Sequence, residues 1–66
     1  MQIQFNGQCR QIPPGSTIAA LLATEGLAQR RVAVEVNGAI VPRSQHTEHA
    51  LHDGDQVEVV HALGGG

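Results

Sequence analysis

The last three residues of the chain, Gly64, Gly65 and Gly66, stand out among the positions at which chemistry could occur. Glycine has no Cβ and loses more backbone freedom than any other residue when it becomes ordered. A run of three glycines therefore suits a packed element poorly. It suits a tail that enters a narrow slot in another protein, and it equally suits a disordered terminus. The rest of the sequence must distinguish these two uses.

A second group of candidate reactive residues is the histidine series His46, His49 and His52, which are spaced by three. On a helix, His46 and His49 would share one face and could ligate zinc. A structural zinc site needs four closed ligands, and no cysteine lies near these residues in the sequence. We therefore predict no metal site and expect these histidines to be solvated or to cap an element.

Cys9 is the only thiol, and Asp53 and Asp55 form a closely spaced pair of carboxylates. A thiol nucleophile needs an orienting group and a pocket, which a chain of this size hardly provides. We therefore interpret Cys9 as a half-buried structural residue. The two aspartates flank Gly54, and aspartate favours turns because its side chain bonds to nearby backbone. No catalytic residue is predicted.

Length and composition limit the protein to one small domain. The chain has 66 residues, of which 41% are hydrophobic, and Phe5 is its single aromatic residue. A formal net charge of −2 and the lack of aromatic platforms argue against nucleic-acid binding. No apolar run reaches the roughly 18 residues of a membrane span, and the N-terminal segment does not resemble a signal peptide. With one cysteine and no disulfide, we expect a cytoplasmic protein that binds neither nucleic acid nor membrane.

Alternating apolar and polar residues predict strands over residues 1–5 and 32–37, with weaker strands at 8–12 and 40–41. The last strand is predicted over residues 56–62, after the turn at Asp53-Gly54-Asp55. Asn6-Gly7, after the first strand, and Asn37-Gly38, after the run of alternating valines, predict two-residue hairpin turns, because both residues tolerate positive φ. In the last strand, Val57, Val59 and Val60 are apolar at both parities. This predicts a strand buried on two faces in the middle of a sheet.

One main helix is predicted between the second and third strands. Ser16 or Thr17 can cap its N-terminus, and Gly26 is placed to end it in a left-handed conformation. Its apolar stripe, spaced i, i+3 and i+4, consists of Ile18, Leu21 and Leu22. A single further helical turn is expected within residues 44–51. This element order predicts an α+β roll in which a mixed sheet of four to five strands packs on one helix.

These elements carry short strings that resemble a known protein family. The most specific pieces are Asn37-Gly38, Val41-Pro42-Arg43, Asp53-Gly54-Asp55 and the terminal Gly65-Gly66. Together with the opening hairpin and PPGSTIAALL, they resemble the ThiS family, the sulfur-carrier proteins of thiamine biosynthesis, over essentially the whole chain. The resemblance implies the β-grasp fold of ubiquitin. It divides the chain into a β-grasp domain, residues 1–62, and a flexible C-terminal tail, residues 63–66.

The resemblance also implies chemistry at the C-terminus. An E1-like adenylyltransferase of the ThiF type would consume ATP to adenylate the carboxyl group of Gly66, so that the carrier itself binds no cofactor. Sulfur from a persulfide donor would then displace AMP and leave a thiocarboxylate. A thiazole synthase of the ThiG type would take that sulfur for the thiazole ring of thiamine. Gly64 and Gly65 would form the slender approach to the partner's site, and the chain would not be an enzyme.

Partner contacts are expected on the exposed sheet face beside the tail, as in other β-grasp carriers. The candidates are Val59, His61 and Leu63, or their neighbours of opposite parity, because the sequence does not fix which parity faces outward. The chain departs from the family at one place. Members often carry a tryptophan shortly after the Pro-Arg pair, and His46 stands near that position.

Two other kinds of function are compatible with the sequence. A β-grasp sulfur carrier for molybdopterin, or a ubiquitin-like modifier, would share the chemistry at Gly66 and differ in the acceptor. This chain contains no lysine, so as a modifier it could not build isopeptide chains on its own side chains. A non-catalytic interaction module with an inert glycine tail would share none of this chemistry. The family strings favour the thiamine carrier.

Overall fold

The computed structural model describes residues 1–61; residues 62–66 lie outside the described part. The described elements are β1 (Gln2–Phe5), β2 (Gln8–Gln11), α1 (Ile18–Thr24), β3 (Val32–Val36), β4 (Ala39–Val41), a 3₁₀ helix (Arg43–Gln45) and β5 (Gln56–His61). The strands form one sheet in the order β2-β1-β5-β3-β4. The predicted α+β architecture, a mixed sheet on one main helix, is confirmed.

Two hairpins frame the sheet, and each turns at a predicted Asn-Gly pair. The φ angles are +49° and +82° at Asn6-Gly7, and +52° and +86° at Asn37-Gly38. Positive φ at both central residues is the type I′ geometry, whose twist matches that of paired strands. The last strand, β5, lies between the hairpins, parallel to β1 and antiparallel to β3. Its predicted central position is confirmed.

The helix begins and ends as its sequence predicts. The Oγ1 of Thr17 accepts a hydrogen bond from the backbone N–H of Ala20 at 3.1 Å, which satisfies one unpaired donor of the first turn. At the other end, Gly26 has φ +77°. The N–H of Leu27 donates to the carbonyl of Leu22 at 2.7 Å, which completes a Schellman motif.

The helix packs on one face of the sheet only, and the core lies between them. The buried apolar residues are Ile3, Phe5, Ile12, Ile18, Leu21, Leu22, Val34, Val36, Val41, Leu51, Val57 and Val59. This set contains the whole predicted helix stripe. We call the sheet face toward the helix the inner face and the opposite one the outer face.

Three details differ from the sequence-based expectations. The strand β5 is central but buried on one face only: Val57 and Val59 are buried, whereas Val60 is 62% exposed on the outer face. Cys9 is exposed and not half-buried, because it lies opposite Gln4 on the outer face of the edge strand β2. The extra helical turn begins earlier than expected, at Arg43.

Candidate functional site

The strand that leads toward the C-terminal glycines is held on both sides. On one side, Val32 to Val36 of β3 lie opposite His61 to Val57 of β5, so pairing extends to the last described residue. On the other side, β1 faces only the beginning of β5, at Gln56 and Val57. The predicted site residues Leu63, Gly64, Gly65 and Gly66 lie outside the described residues. The described part therefore supplies the base from which they extend.

Side chains of the two turn asparagines bind β5 directly. The Oδ1 of Asn6 accepts a hydrogen bond from the N–H of Val59 at 2.7 Å. The Oδ1 of Asn37 accepts one from the N–H of Gln56 at 2.9 Å, and its Nδ2 donates to Asp55 Oδ1 at 2.9 Å. The sequence predicted these asparagines only as turn residues. Their bonds to a strand about 20 or more positions away depend on tertiary structure and carry no local sequence signal.

The aspartate pair before β5 belongs to a turn, as predicted. Asp55 Oδ2 accepts from the N–H of His52 at 2.8 Å, and Asp53 Oδ1 accepts from the N–H of Gln2 at 2.8 Å. Gly54 between them has φ +87°, a conformation that L side chains rarely adopt. The carboxylates thus fix the start of β5 and join it to β1.

The two described candidates for partner contact face different surroundings. Val59 is only 8% exposed and belongs to the core cluster. His61 is exposed at the end of β5. Burial therefore favours the neighbours of opposite parity as contact residues. Among the described ones, Glu58 and Val60, the apolar residue is Val60. It is paired with Ala33 of β3.

The outer face combines exposed apolar side chains with two like charges. Glu58 of β5 lies directly opposite Glu35 of β3, and Glu35 lies opposite Ile40 of β4. Val60 and Ile40, each 62% exposed, are the large exposed apolar residues of the described chain. Like charges that face each other across a ladder destabilise a sheet. The arrangement is therefore not explained by the stability of the isolated chain.

The histidines do not converge. His46 is buried, 6% exposed, and its Nε2 lies 3.0 Å from the carbonyl oxygen of Val41. Of the two expectations for His46, a solvated side chain is wrong, because the imidazole is buried in the protein. The expectation that it caps an element is confirmed, because His46 is the C-cap residue of the 3₁₀ helix and its N–H donates to the carbonyl of Arg43. His49 is partly buried and His52 is exposed. Within residues 1–61, no cluster of histidine, cysteine or acidic side chains is placed to hold a metal ion.

Cys9 lies on the exposed side of the edge strand β2. The neighbouring residue Arg10 pairs with Glu25, with Arg10 Nε 3.1 Å from Glu25 Oε2. The Arg10 guanidinium also lies 5.8 Å from the centre of the Phe5 ring.

No helix within residues 1–61 has the length and apolar character needed to cross a membrane.

Comparisons with known proteins agree with this architecture. The model of the ThiS family matches residues 3–66. The chain is 39% identical to the sulfur carrier protein ThiS of Escherichia coli (strain K12) over the full length of both. It superposes on the crystal structure of the thiamine biosynthesis protein ThiS from Geobacter metallireducens with a TM-score of 0.86 and 30% identity, each chain being covered completely.

A larger enzyme also contains a region similar to this chain. All 66 residues match a thiazole synthase of Paramagnetospirillum magneticum at 42% identity, and the chain spans about a fifth of that protein, 20%. The full-length relative is named a carrier, which agrees with the expectation that this chain is not itself an enzyme. The structural match confirms the β-grasp fold. With a family match that extends from the first strand through the terminal glycine, the chain belongs to the ThiS family.

Proposed function

We propose that this protein is a sulfur carrier for the thiazole ring of thiamine and that the carboxyl carbon of Gly66 is its working atom. The observation that carries the proposal is the family match, which runs through Gly66. The geometry supports it, because the central strand β5 leads directly to the terminal segment and is held by both hairpins. The proposed place of action is the cytoplasm.

The proposed chemistry has three balanced steps. A carboxylate oxygen of Gly66 attacks the α-phosphate of ATP in an E1-like enzyme of the ThiF type, which forms an acyl adenylate and releases pyrophosphate. The terminal sulfur of a cysteine persulfide then attacks the carbonyl carbon, and AMP leaves. A second thiol cleaves the resulting acyl disulfide, so that Gly66 keeps the sulfur as a thiocarboxylate and the two cysteines form a disulfide.

The terminal glycines supply access rather than catalysis. Residues 62–66 span at most about 17–18 Å when fully extended. This length allows the folded part to remain outside a partner while the carboxyl group enters its active site. Without a Cβ, Gly64 and Gly65 pass through a passage that larger residues would block. The described residues supply no acid or base for this chemistry, so the partner enzymes provide it.

We assign partner docking to the outer face next to the end of β5. Val60 offers an apolar contact there, and Glu58 on the same strand offers a charge. His61 is exposed where the tail begins. The acceptor of the sulfur is a thiazole synthase of the ThiG type, a proposal supported by the thiazole synthase that carries a region similar to this chain.

Intact-mass measurement tests the proposed chemistry. The Cys9→Ser variant, which excludes the internal thiol, is incubated with ATP, a persulfide donor and the E1-like enzyme. We expect the mass gain of one oxygen-to-sulfur exchange. A matched chain of the same sequence with a C-terminal amide has no free carboxylate and should show no gain. An unchanged mass in the free-acid chain would support an inert tail instead.

A second assay separates the possible acceptors. The thiocarboxylate carrier is supplied to a thiazole synthase reaction and, in parallel, to a molybdopterin synthase reaction. We expect product in the first reaction only. Transfer in the second alone would assign the carrier to molybdopterin, and attachment to protein amines would assign it to the modifiers.

The docking face is tested by a pair of aspartate substitutions. Val60→Asp places a charge on the proposed contact, whereas Ala23→Asp places the same charge on the exposed side of α1. Loss of an apolar contact and burial of a charge should weaken binding of the thiazole synthase by about tenfold or more for Val60→Asp. The Ala23→Asp variant should bind like the parent chain.

A further inference from the structure

A groove on the helix side of the molecule is not used by the proposed sulfur chemistry. It lies between α1, the segment that follows it, the start of β3 and the 3₁₀ helix, and its volume is about 210 Å³. It is lined by Ala19, Leu22, Ala28, Arg30, Val32, Arg43, His46 and Thr47. An apolar cavity of about 150 Å³ can hold a benzene molecule. The groove therefore has room for one small ring with a substituent.

Two arginines give this groove a cationic rim. Arg30 comes from the segment after α1, and Arg43 comes from the 3₁₀ helix after β4. Both residues are exposed, and within residues 1–61 neither side chain has an ion-pair or hydrogen-bond partner. The nearby carboxylate of Glu25, at the end of α1, is already paired with Arg10. The two guanidinium charges are thus left without compensation by a carboxylate of the described chain.

His46 adds a buried polar group to the groove wall. Its Nε2 lies 3.0 Å from the Val41 carbonyl, which can only accept, so Nε2 carries the hydrogen. This leaves Nδ1 without a protein partner. No fully enclosed side-chain nitrogen or oxygen in the described chain lacks a partner, so Nδ1 is at least partly accessible, and His46 is one of the residues that line the groove. Thr47 also lines the groove and adds a hydroxyl that can donate or accept.

The remaining lining is apolar, and the groove lies close to the base of the tail. Leu22 and Val32 belong to the core or pack against it, and Ala19 and Ala28 add small side chains. Val32 is paired with His61, the last described residue of β5. Neighbouring strands lie about 4.8 Å apart. A molecule bound in the groove would therefore sit within a few strand spacings of the point where the tail begins.

We propose that this groove binds a compact organic anion, namely a carboxylate attached to a small apolar body. The guanidinium groups of Arg30 and Arg43 hold the carboxylate, for which their planar arrangement of donors is well matched. The apolar body rests on Leu22 and Val32, while His46 Nδ1 and Thr47 orient it. This site is independent of the chemistry proposed at Gly66.

Benzoate is the probe, because it combines a carboxylate with a ring of the size that the groove accepts. The full chain, labelled with ¹⁵N, is titrated and followed by NMR. We expect saturable shifts of the amides of Ala19, Ala28 and Thr47. Benzamide, which has the same shape without the charge, and inorganic phosphate, which has charge without the ring, should each bind about tenfold more weakly or worse.

Matched variants locate the site. Arg43→Gln removes a rim charge and should weaken benzoate binding about tenfold. Gln8→Glu lowers the net charge by the same amount at an exposed position of β2, leaves the Arg10–Glu25 pair in place and should keep binding within about twofold. Ala28→Leu fills space at an exposed position and should abolish binding without lowering the melting temperature. Equal binding by the Arg43→Gln and Gln8→Glu variants would overturn the proposal. So would equal binding of phosphate and benzoate, or the absence of saturable shifts at the groove.

Discussion

The first hairpin, β1 with β2, and the second, β3 with β4, lie on opposite sides of β5 and both turn at an Asn-Gly pair. They hold β5 in different ways. The second hairpin pairs with β5 through β3, from Val57 to His61. The first pairs only with its beginning, and the Asn6 side chain continues the contact by accepting from the Val59 N–H.

This difference shows how a small sheet can fix the direction of a terminal strand. Antiparallel pairing with β3 provides the backbone hydrogen bonds close to the tail. The parallel pairing with β1 is short, and the Asn6 side chain extends it by accepting a hydrogen bond from the Val59 N–H. The orientation of the tail base is therefore set mainly by the second hairpin, while the first determines where β5 begins through Asp53 and Gln2.

The largest contrast is expected between one isoleucine of each hairpin. Ile3 of the first is 1% exposed on the inner face, whereas Ile40 of the second is 62% exposed on the outer face. Ile3→Ala should lower the free energy of unfolding by about 2–5 kcal/mol, because it leaves a cavity. Ile40→Ala should change it by less than about 0.5 kcal/mol. Urea denaturation of both variants checks this, and similar losses would contradict the assignment of the two faces.

A smaller difference is expected between the turn asparagines. Glycine tolerates positive φ, so Asn37→Gly and Asn6→Gly remove side-chain hydrogen bonds without backbone strain. Asn37→Gly loses two bonds, one to a carboxylate, and should cost about 1–3 kcal/mol, whereas Asn6→Gly loses one and should cost about 0.5–1.5 kcal/mol.

Amide hydrogen exchange gives each asparagine its own readout. The Val59 amide should lose protection in Asn6→Gly, and the Gln56 amide should lose it in Asn37→Gly. Uniform loss of protection over β5 in both variants would show that the side chains act only through global stability.

The smallest change in stability is expected from the pair of like charges between the second hairpin and β5, Glu35 and Glu58. Glu58→Gln removes the repulsion between Glu58 and Glu35 and should raise the free energy of unfolding by about 0.2–1 kcal/mol. Glu48→Gln changes the net charge equally at an exposed loop position and is the matched control. The difference between the two variants should shrink at high salt, because exposed charges are screened. A destabilised Glu58→Gln variant would rule out repulsion at this pair.

Local sequence patterns determined much of this protein. Alternation predicted β1 and β3, Asn-Gly pairs predicted both turns, and Thr17 and Gly26 predicted the ends of the helix. These predictions succeed because each signal acts through the backbone of neighbouring residues. The family strings also predicted Gly66 as the working residue, and this stays a prediction. None of these conclusions required knowledge of which strands pair.

Tertiary structure alone decided the rest. Apolar residues at both parities of β5 suggested burial on two faces, but a single helix covers one face, which leaves Val60 exposed. The facing of Glu35 with Glu58 and the bonds of Asn6 and Asn37 to β5 join residues distant in sequence. The segment that carries the buried His46 is also joined to α1, where the N–H of Ala19 donates to the His46 carbonyl. Such contacts depend on which strands lie next to each other in the sheet, and no local sequence pattern encodes that spatial order.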